Sequence, residues 1–260
     1  MAITQPTATK LAARILAIFS EKGGIGKSTT TLNIAWYAEA YKKKVLLVDL
    51  DAQGNTTNSV CSDIPRSALT ASALFKDELP AGRAPIVVSP YLDLIPADKA
   101  LKKVDSKVNG EDQAACRDLY QQFRHNLRSF VDQYDIIVLD TPPTAELRYT
   151  AALVAADFSV APTTMDAFGM DGIASVKEIE RNVKSIYGNP RLKHLGILAN
   201  KVQKRSKLNQ KFMDQLLTSG IKVVPVTIYF RSDIENMLFE GKRSRHMKEA
   251  CDYILGEVLA

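Results

Sequence analysis

The sequence contains no apolar run approaching the roughly 18 residues that a membrane-spanning helix requires. Its N-terminal segment, MAITQPTATKLAAR, has no apolar run long enough for a secretory signal. Cys61, Cys116 and Cys251 lie far apart and form no C-x-x-C pair, which argues against a metal or cluster site and is typical of the reducing cytosol. The histidines are also scattered. We therefore expect a cytoplasmic protein with no membrane partner.

The composition is that of an ordinary soluble globular protein, with 46% hydrophobic and 24% charged residues among 260. The net charge of +5 is weak evidence for a polyanionic partner, because its distribution matters more than its size. No repeat, low-complexity tract or linker divides the chain. We expect a flexible N-terminal arm over residues 1–13 and a single domain over residues 14–260.

A glycine-rich segment, SEKGGIGKST, begins at Ser20. It matches the right-hand end of the phosphate-binding pattern G-x-x-x-x-G-K-[ST], but Glu21 stands where the first glycine belongs. What remains is K-G-G-x-G-K-[ST], headed by Lys22. Glycines let the backbone N–H groups turn toward an anion, and the following helix adds its positive dipole end. The candidate phosphate-binding residues are Gly23, Gly24, Ile25, Gly26, Lys27 and Ser28, with Lys27 on the terminal phosphates and Ser28 on magnesium.

The surroundings of this segment predict an α/β fold. An apolar strand-type run precedes it, and a pattern of helical spacing follows it. Similar runs recur with helical patterns between them, which predicts a mostly parallel, twisted sheet flanked by helices on both faces, like that of a P-loop NTPase. The clearest helix is predicted over Asp112–Tyr134, and the segment APIVVSPYLDLIPAD is predicted to supply two short edge strands. The strands are predicted at Arg14–Phe19, Val45–Asp49, Ile136–Asp140, Phe158–Ala161, Leu195–Asn200 and Lys222–Val226.

Two predicted strands end in aspartate. VLLVDLDAQGN contains Asp49 and Asp51, and DIIVLDTPP contains Asp140. In an open parallel sheet, ligands bind beyond the carboxyl ends of the strands. Carboxylates beside a phosphate loop suit a magnesium site, usually through a water molecule. We assign Asp140 to magnesium, with Asp49 as a further candidate. An ordinary strand-end cap is the alternative for Asp49 and Asp51.

The three motifs together, KGGIGKST, VLLVDLDAQGN and YDIIVLDTPP, resemble those of the deviant Walker family of P-loop ATPases, and most closely the ParA/Soj partition ATPases. The resemblance covers roughly Arg14 to Gly241. It implies ATP and Mg²⁺ as cofactors and two subunits packed face to face with ATP between them. It also implies that Lys22 is the signature lysine, which reaches the phosphates held by the partner subunit, and that Asp51 positions the attacking water.

By the same resemblance, Thr29 contacts the α-phosphate and Asn200 contacts adenine. Tyr229 departs from the pattern, because many relatives carry proline at this point of a base-contacting loop, so the resemblance does not fix the contacts on the adenine side or the preference among nucleotides. Because only 13 residues precede the first predicted strand, we do not expect operator binding through the N-terminal helix-turn-helix domain of the longer partition ATPases.

The C-terminal segment SRHMKEACDYILGEVLA has a clean apolar stripe and a polar face with little positive charge. Helices that lie on membranes usually carry lysine and arginine there, so we expect this helix to dock on the core. Basic residues cluster instead in NKVQKRSKLNQK and EGKRSRHMK. A solvated surface is one interpretation of these clusters. The resemblance favours non-specific DNA binding, with Lys204, Arg205, Lys207, Arg243 and Arg245 as the candidates.

The sequence therefore predicts a nucleoid-associated, ATP-dependent partition ATPase. It would dimerise with ATP, bind DNA in that state and be released when a ParB-like partner stimulates its slow hydrolysis. The alternative is a MinD-like spatial regulator that positions a protein complex or a membrane-associated cargo. A tyrosine kinase of the same P-loop group usually has a tyrosine-rich tail, and only Tyr253 lies in the last 20 residues here.

Overall fold

The computed structural model describes residues 12–106, 112–144, 147–234 and 240–260. Most of the expected N-terminal arm, residues 1–11, lies outside the described residues. The described chain builds one seven-stranded sheet in the order β3-β4-β2-β5-β1-β6-β7. The strands are β1 (Arg14–Ile18), β2 (Val45–Asp49), β3 (Ile86–Ser89), β4 (Leu92–Ile95), β5 (Ile136–Asp140), β6 (Phe158–Thr164) and β7 (Lys193–Asn200).

All neighbouring strands run parallel except β3, which pairs antiparallel with β4. Helices separate most of the parallel strands, as crossover connections require. Those bounded within the described residues are α1 (Lys27–Ala40), α2 (Asn55–Val60), α3 (Leu101–Val104), α4 (Gln113–Arg128), α5 (Leu147–Ala155), α6 (Ala167–Ser185), α7 (Lys207–Thr218) and α8 (Lys248–Leu259), with 3₁₀ turns at Ala71–Phe75 and Arg245–Met247.

The alternation of side chains along each strand builds a hydrophobic core on each face of the sheet. In β1, Ile15 and Ala17 belong to one core, which α4 and α5 cover. Leu16 and Ile18 belong to the other, which α1 and α8 cover. The predicted mostly parallel sheet with helices on both faces is confirmed.

Helix α1 is buried along most of its length because the sheet lies on one side of it and α8 on the other. The Tyr37 hydroxyl donates to the carbonyl of Ser244 at 3.0 Å, and the N–H of Ser244 donates to Oδ1 of Asn33 at 2.7 Å. The apolar stripe of α8 faces the second core, with Ile254 fully buried. The expected docking of the C-terminal helix is therefore confirmed. No helix among the described residues is long and apolar enough to cross a membrane.

The helix predicted over Asp112–Tyr134 is shorter in the structure. Asp112 caps it, with Oδ1 accepting from the N–H groups of two residues in the first turn. The helix ends at Arg128, after which the N–H of Phe130 donates to the carbonyl of Leu127 and the N–H of Val131 to that of Arg128, each at 3.2 Å, so the backbone continues as i→i+3 turns. The carbonyl of Val131 then accepts a 2.8 Å hydrogen bond from the N–H of Ala13, at the start of β1.

The predicted strand Lys222–Val226 is wrong. Val223 forms only an isolated bridge with Ile197 of β7. Pro225 has no N–H to extend the ladder, so the segment follows β7 without becoming an eighth strand. The prediction of two edge strands within residues 84–98 is half correct, because β3 is an edge strand whereas β4 lies between β3 and β2.

Docking of α8 predicts a large stability loss when its buried face is truncated. Ile254→Ala should lower the free energy of unfolding by about 2–5 kcal/mol, because the lost methyl groups leave a cavity. The matched control is Leu217→Ala on α7, where the side chain is 62% exposed and little loss is expected. Urea unfolding of both variants measures the difference, and equal effects would mean that α8 is not packed as described.

Candidate nucleotide site

The carboxyl ends of the parallel strands bring the predicted site residues to one edge of the sheet. β1 leads into the glycine-rich loop, β2 ends at Asp49, β5 ends at Asp140, and β7 ends at Asn200. Asp49 and Asp140 are directly paired in register across β2 and β5. The loop joins β1 to the N-terminus of α1, as a phosphate-binding loop requires.

Glycines give the loop its backbone shape. Gly24 and Gly26 have φ values of 72° and 95°, which residues with a side chain rarely adopt. A Cβ atom added at Gly23 or Gly24 would meet no atom within 4 Å, so the space in front of these two residues is open. A Cβ added at Gly26 would lie 2.3 Å from Nδ2 of Asn200. Gly26 is therefore required both by its backbone conformation and by its neighbour.

Asn200 braces the glycine-rich loop from β7. Its Nδ2 donates to the carbonyl of Ile25 at 2.7 Å, and its Oδ1 accepts from the N–H of Lys201 at 2.9 Å. The side chain is buried, with 3% of its surface exposed. The structure thus gives Asn200 a role in shaping the loop, and its contact with adenine stays a prediction.

The two lysines of the loop contact each other through a backbone carbonyl. The Lys27 ammonium donates to the carbonyl of Lys22 at 2.8 Å. Burial lowers the pKa of Lys27, while the charges of Asp140 and Asp51 act in the opposite direction. A buried ammonium ion held near these carboxylates is well placed to bind a phosphate, which would complete its hydrogen bonding.

The two strand-end carboxylates are buried and bonded to the helices around them. Asp140 accepts from the Thr56 hydroxyl at 2.6 Å. Asp49 accepts from both the N–H and the hydroxyl of Thr57, each at 2.8 Å, and from the N–H of Asp51 at 3.1 Å. Both oxygens of Asp49 are therefore engaged in fixing the turn after β2, and its role as a magnesium ligand stays a prediction.

Burial also shifts the titration of this pair. It raises the pKa of Asp49 to about 7, with the charge of Asp140 adding to the shift. Burial raises the pKa of Asp140 to about 6, although hydrogen bonds from Thr56 and Ser28 and the charge of Lys27 oppose it. Without a cation at the site, the protein holds ionised carboxylates here at a cost in stability.

A cleft of about 650 Å³ opens in front of the loop. Its lining includes the glycine-rich loop, the start of α1, Asp51 and residues of α2. Sequence analysis missed several wall residues, among them Asn55, Asn58 and Lys201. For Lys201 a signal exists only in three dimensions, since it is one of two non-glycine residues with positive φ, at 54°, in the described chain.

The five predicted DNA contacts are all exposed in the structure: Lys204, Arg205, Lys207, Arg243 and Arg245. Lys204 and Arg205 line a surface depression of about 660 Å³ formed by residues 202–205 and 229–233. In it, the Lys204 ammonium lies 4.3 Å from the centre of the Tyr229 ring. Nε2 of His246 lies 3.3 Å from Oδ2 of Asp233, so the segment that carries the second cluster borders this depression.

Comparison with known proteins agrees with this geometry. The AAA_31 family model, described as an AAA domain, matches residues 13–197. The chromosome-partitioning ATPase Soj of Thermus thermophilus is 33% identical over 205 residues, which cover 78% of this chain and 75% of that protein. The chain belongs to the ParA/Soj family of partition ATPases.

Solved structures of similar fold include McdA of Cyanothece in its apo form, with a TM-score of 0.81, 21% identity and coverage of 95% of this chain and 100% of that chain. Cobyrinic acid a,c-diamide synthase of Mycobacterium smegmatis, with bound ADP and magnesium, has a TM-score of 0.75 and 23% identity, and the match covers 94% of each chain. These likenesses show the P-loop NTPase-like fold of this partition ATPase family member.

The buried carboxylate pair predicts a pH dependence of stability in the nucleotide-free protein. Because the folded-state pKa values of about 6 and about 7 lie above the unfolded value of about 3.9, the pair contributes stability at low pH that is lost as pH rises from about 4 to about 7. Asp140→Asn removes one of the two charges. The variant should therefore gain stability relative to the wild type between pH 5 and pH 8.

Urea unfolding at pH 5 and at pH 8, without nucleotide or magnesium, measures the free energy of unfolding of the variant and of the wild type. The exposed Asp132→Asn is the control and should follow the wild type at both pH values. If Asp140→Asn has the same free energy of unfolding as the wild type at both pH values, ionisation of the buried carboxylate pair does not destabilise the protein.

Proposed function

We propose that this protein is an ATP-dependent, dimerising DNA partition ATPase of the cytoplasm, associated with the nucleoid. ATP closes a dimer, the dimer binds DNA without sequence preference, and a ParB-like partner stimulates slow hydrolysis and release. The observation that carries this proposal is the second lysine of the loop. Lys22 sits at its head, beside the exposed Gly23 and Gly24, while the ammonium of Lys27 is held within its own chain by the carbonyl of Lys22.

The residues of the cleft fit ATP and Mg²⁺. Open space in front of Gly23 and Gly24 allows phosphates to approach the backbone closely. The Ser28 hydroxyl lies close enough to the Asp140 carboxylate to oppose the rise of its pKa, and the two together offer the hard oxygen donors that magnesium prefers. When bound, magnesium would neutralise charge on the β- and γ-phosphates. Thr29, on the cleft wall after Ser28, is assigned to the α-phosphate.

Asp51 is proposed to orient the attacking water. It lines the same cleft as the loop, and its Oδ1 accepts from the N–H of Gln53 at 3.0 Å, which fixes the side chain. A carboxylate in this place can hold a water molecule in line with the γ-phosphate. Lys27 would bind the phosphates from its own subunit, and Lys22 those of the partner subunit, so that affinity between subunits depends on the γ-phosphate.

Dimerisation would also make the affinity for DNA depend on bound ATP. One exposed basic surface per subunit makes few phosphate contacts, whereas two aligned surfaces make twice as many. Because each neutralised phosphate releases counterions, contacts compound in affinity. The dimer would bind DNA far more tightly than either subunit without any change in the basic surface itself.

The MinD-like alternative needs a surface that binds membrane. In this structure the apolar stripe of α8 is buried against the second core, and Tyr41 on α1 donates to Asp252 of α8 at 2.5 Å. These contacts favour DNA over lipid as the surface to which ATP directs the protein. Binding to vesicles of anionic lipid, measured beside DNA binding, separates the two functions.

The first test of this function distinguishes the two lysines. Lys27→Ala should abolish ATP binding, because it removes the ammonium that binds the phosphates within the same chain. Lys22→Ala should still bind ATP but fail to form the ATP-dependent dimer. Nucleotide titration and sedimentation measure these effects. If Lys22→Ala loses ATP binding as completely as Lys27→Ala, the cross-subunit role is wrong.

The second test concerns DNA. Arg205→Glu and Arg243→Glu should abolish DNA binding while ATP-dependent dimerisation continues, because each replaces a positive side chain that would contact a DNA phosphate with a negative one. Each neutralised contact should lower the salt slope of binding by roughly 1, equally on two unrelated duplexes.

The experiment is a salt titration of affinity with ATP, with ADP and without nucleotide. The exposed Lys76→Glu, away from both clusters in sequence, is the matched charge reversal and should leave binding nearly unchanged. Equal DNA binding with ATP and ADP, or DNA binding that survives both charge reversals, would mean that the two basic clusters are an ordinary solvated surface.

A further inference from the structure

A buried arginine outside the sequence motifs contacts the loop that carries Asp51. Arg148, on α5, is only 5% exposed. Its Nε donates to Oδ2 of Asp105 at 2.6 Å, and its Nη1 donates to the carbonyl of Leu50 at 2.7 Å. A guanidinium ion is rarely buried to this extent, and it is stable here because a carboxylate and a carbonyl both accept from it.

The carbonyl of Leu50 belongs to the peptide group that joins Leu50 to Asp51. The N–H of that same group donates to Oδ1 of Asp49 at 3.1 Å. Both polar ends of one peptide plane are therefore held, the oxygen by Arg148 and the N–H by Asp49. Since a peptide group is rigid, these two bonds restrict the rotation that would swing the Cα of Asp51 toward or away from the cleft.

A second cavity, of about 310 Å³, shares Asp51, Gln53 and Pro143 with the nucleotide cleft, whereas Arg148 and Asp105 line only this second cavity. Asp51 therefore borders both open spaces. A directional bond from a rigid guanidinium group to the peptide group before Asp51 thus has a clear mechanical role.

We propose that Arg148 is a positioning residue for Asp51: it acts through the Leu50–Asp51 peptide group to hold the carboxylate at the water-orienting position. This rests on the proposed function of Asp51. Asp105 supports Arg148 by neutralising its charge and fixing the plane of the guanidinium group. A shift of about 1 Å in a catalytic group can cost up to about 100-fold in rate, so a positioning bond has a measurable effect.

The structure contains a matched ion pair without a link to the site. On α4, Arg128 donates to Oδ1 of Asp157 at 2.7 Å, and Oδ2 of Asp157 accepts from the N–H of Ile15 in β1 at 2.9 Å. In this pair the arginine reaches strand backbone through the carboxylate, whereas Arg148 contacts the carbonyl of Leu50 directly. Its loss should affect stability but not hydrolysis.

The experiment compares Arg148→Met, Arg148→Lys and Arg128→Met in the full chain. ATP affinity, the melting temperature, and the kcat and KM of magnesium-dependent hydrolysis are measured for each. Arg148→Met should lower kcat by about 10-fold to about 100-fold with ATP affinity and KM little changed. Arg148→Lys should recover part of this loss, because the ammonium still reaches one acceptor. Arg128→Met should lower only the melting temperature. Full kcat in Arg148→Met overturns the proposal.

A double-mutant cycle with Asp51→Asn tests whether Arg148 acts through Asp51. If it does, Arg148→Met should lower kcat little further in the Asp51→Asn background. Losses that multiply would show that Arg148 acts by another route and would overturn the proposal. If Asp51→Asn itself hydrolyses ATP normally, the proposed function of Asp51 fails as well. A slow Asp51→Asn beside a fully active Arg148→Met would overturn the Arg148 proposal alone.

Discussion

Asp49 and Asp140 end neighbouring parallel strands, are paired in register and are fully buried. The sheet forces these carboxylates side by side in a place where charge is costly. Hydrogen bonds and a nearby positive charge from the surrounding residues offset this cost. The hydroxyl groups of Thr56 and Thr57, at the start of α2, donate hydrogen bonds to these carboxylates. Lys27 lies close enough for its charge to oppose the rise in the pKa of Asp140. Helix α2 and the loop before it are therefore positioned by the carboxylates they satisfy.

The same constraint connects stability to ligand binding. Buried carboxylates with raised pKa values and a buried lysine with a lowered pKa make the ligand-free site electrostatically unfavourable. Phosphate would satisfy the lysine, and magnesium would satisfy the carboxylate of Asp140. Part of the binding energy of a nucleotide at this candidate site would thus come from relief of a cost already present in the fold. Active sites that bind charged ligands commonly carry such a cost.

Sequence motifs indicated residues that the fold brings together at the candidate nucleotide site, because each motif depends on local spacing and on one rule of parallel sheets. The glycine-rich loop, Asp51 and Asp140 each follow a strand that could be recognised by its apolar run, and parallel strands end at one edge. The strands Val45–Asp49 and Ile136–Asp140 were predicted to the residue. The apolar stripe of the C-terminal segment likewise indicated the face of α8 that is buried.

The sequence by itself thus determined the type of fold and the order of its main elements and indicated the candidate phosphate-binding loop, because periodicity and glycine placement act over a few residues. Only the tertiary structure decided where α4 ends, which atoms Asn200 contacts and how Asp51 is held. The carbonyl of Val131, just after α4, accepts from the N–H of Ala13, and Arg148 reaches Leu50, which lies 98 positions away in the chain. Such contacts join segments that no local pattern relates, since a hydrogen bond depends on distance in space rather than on separation in sequence.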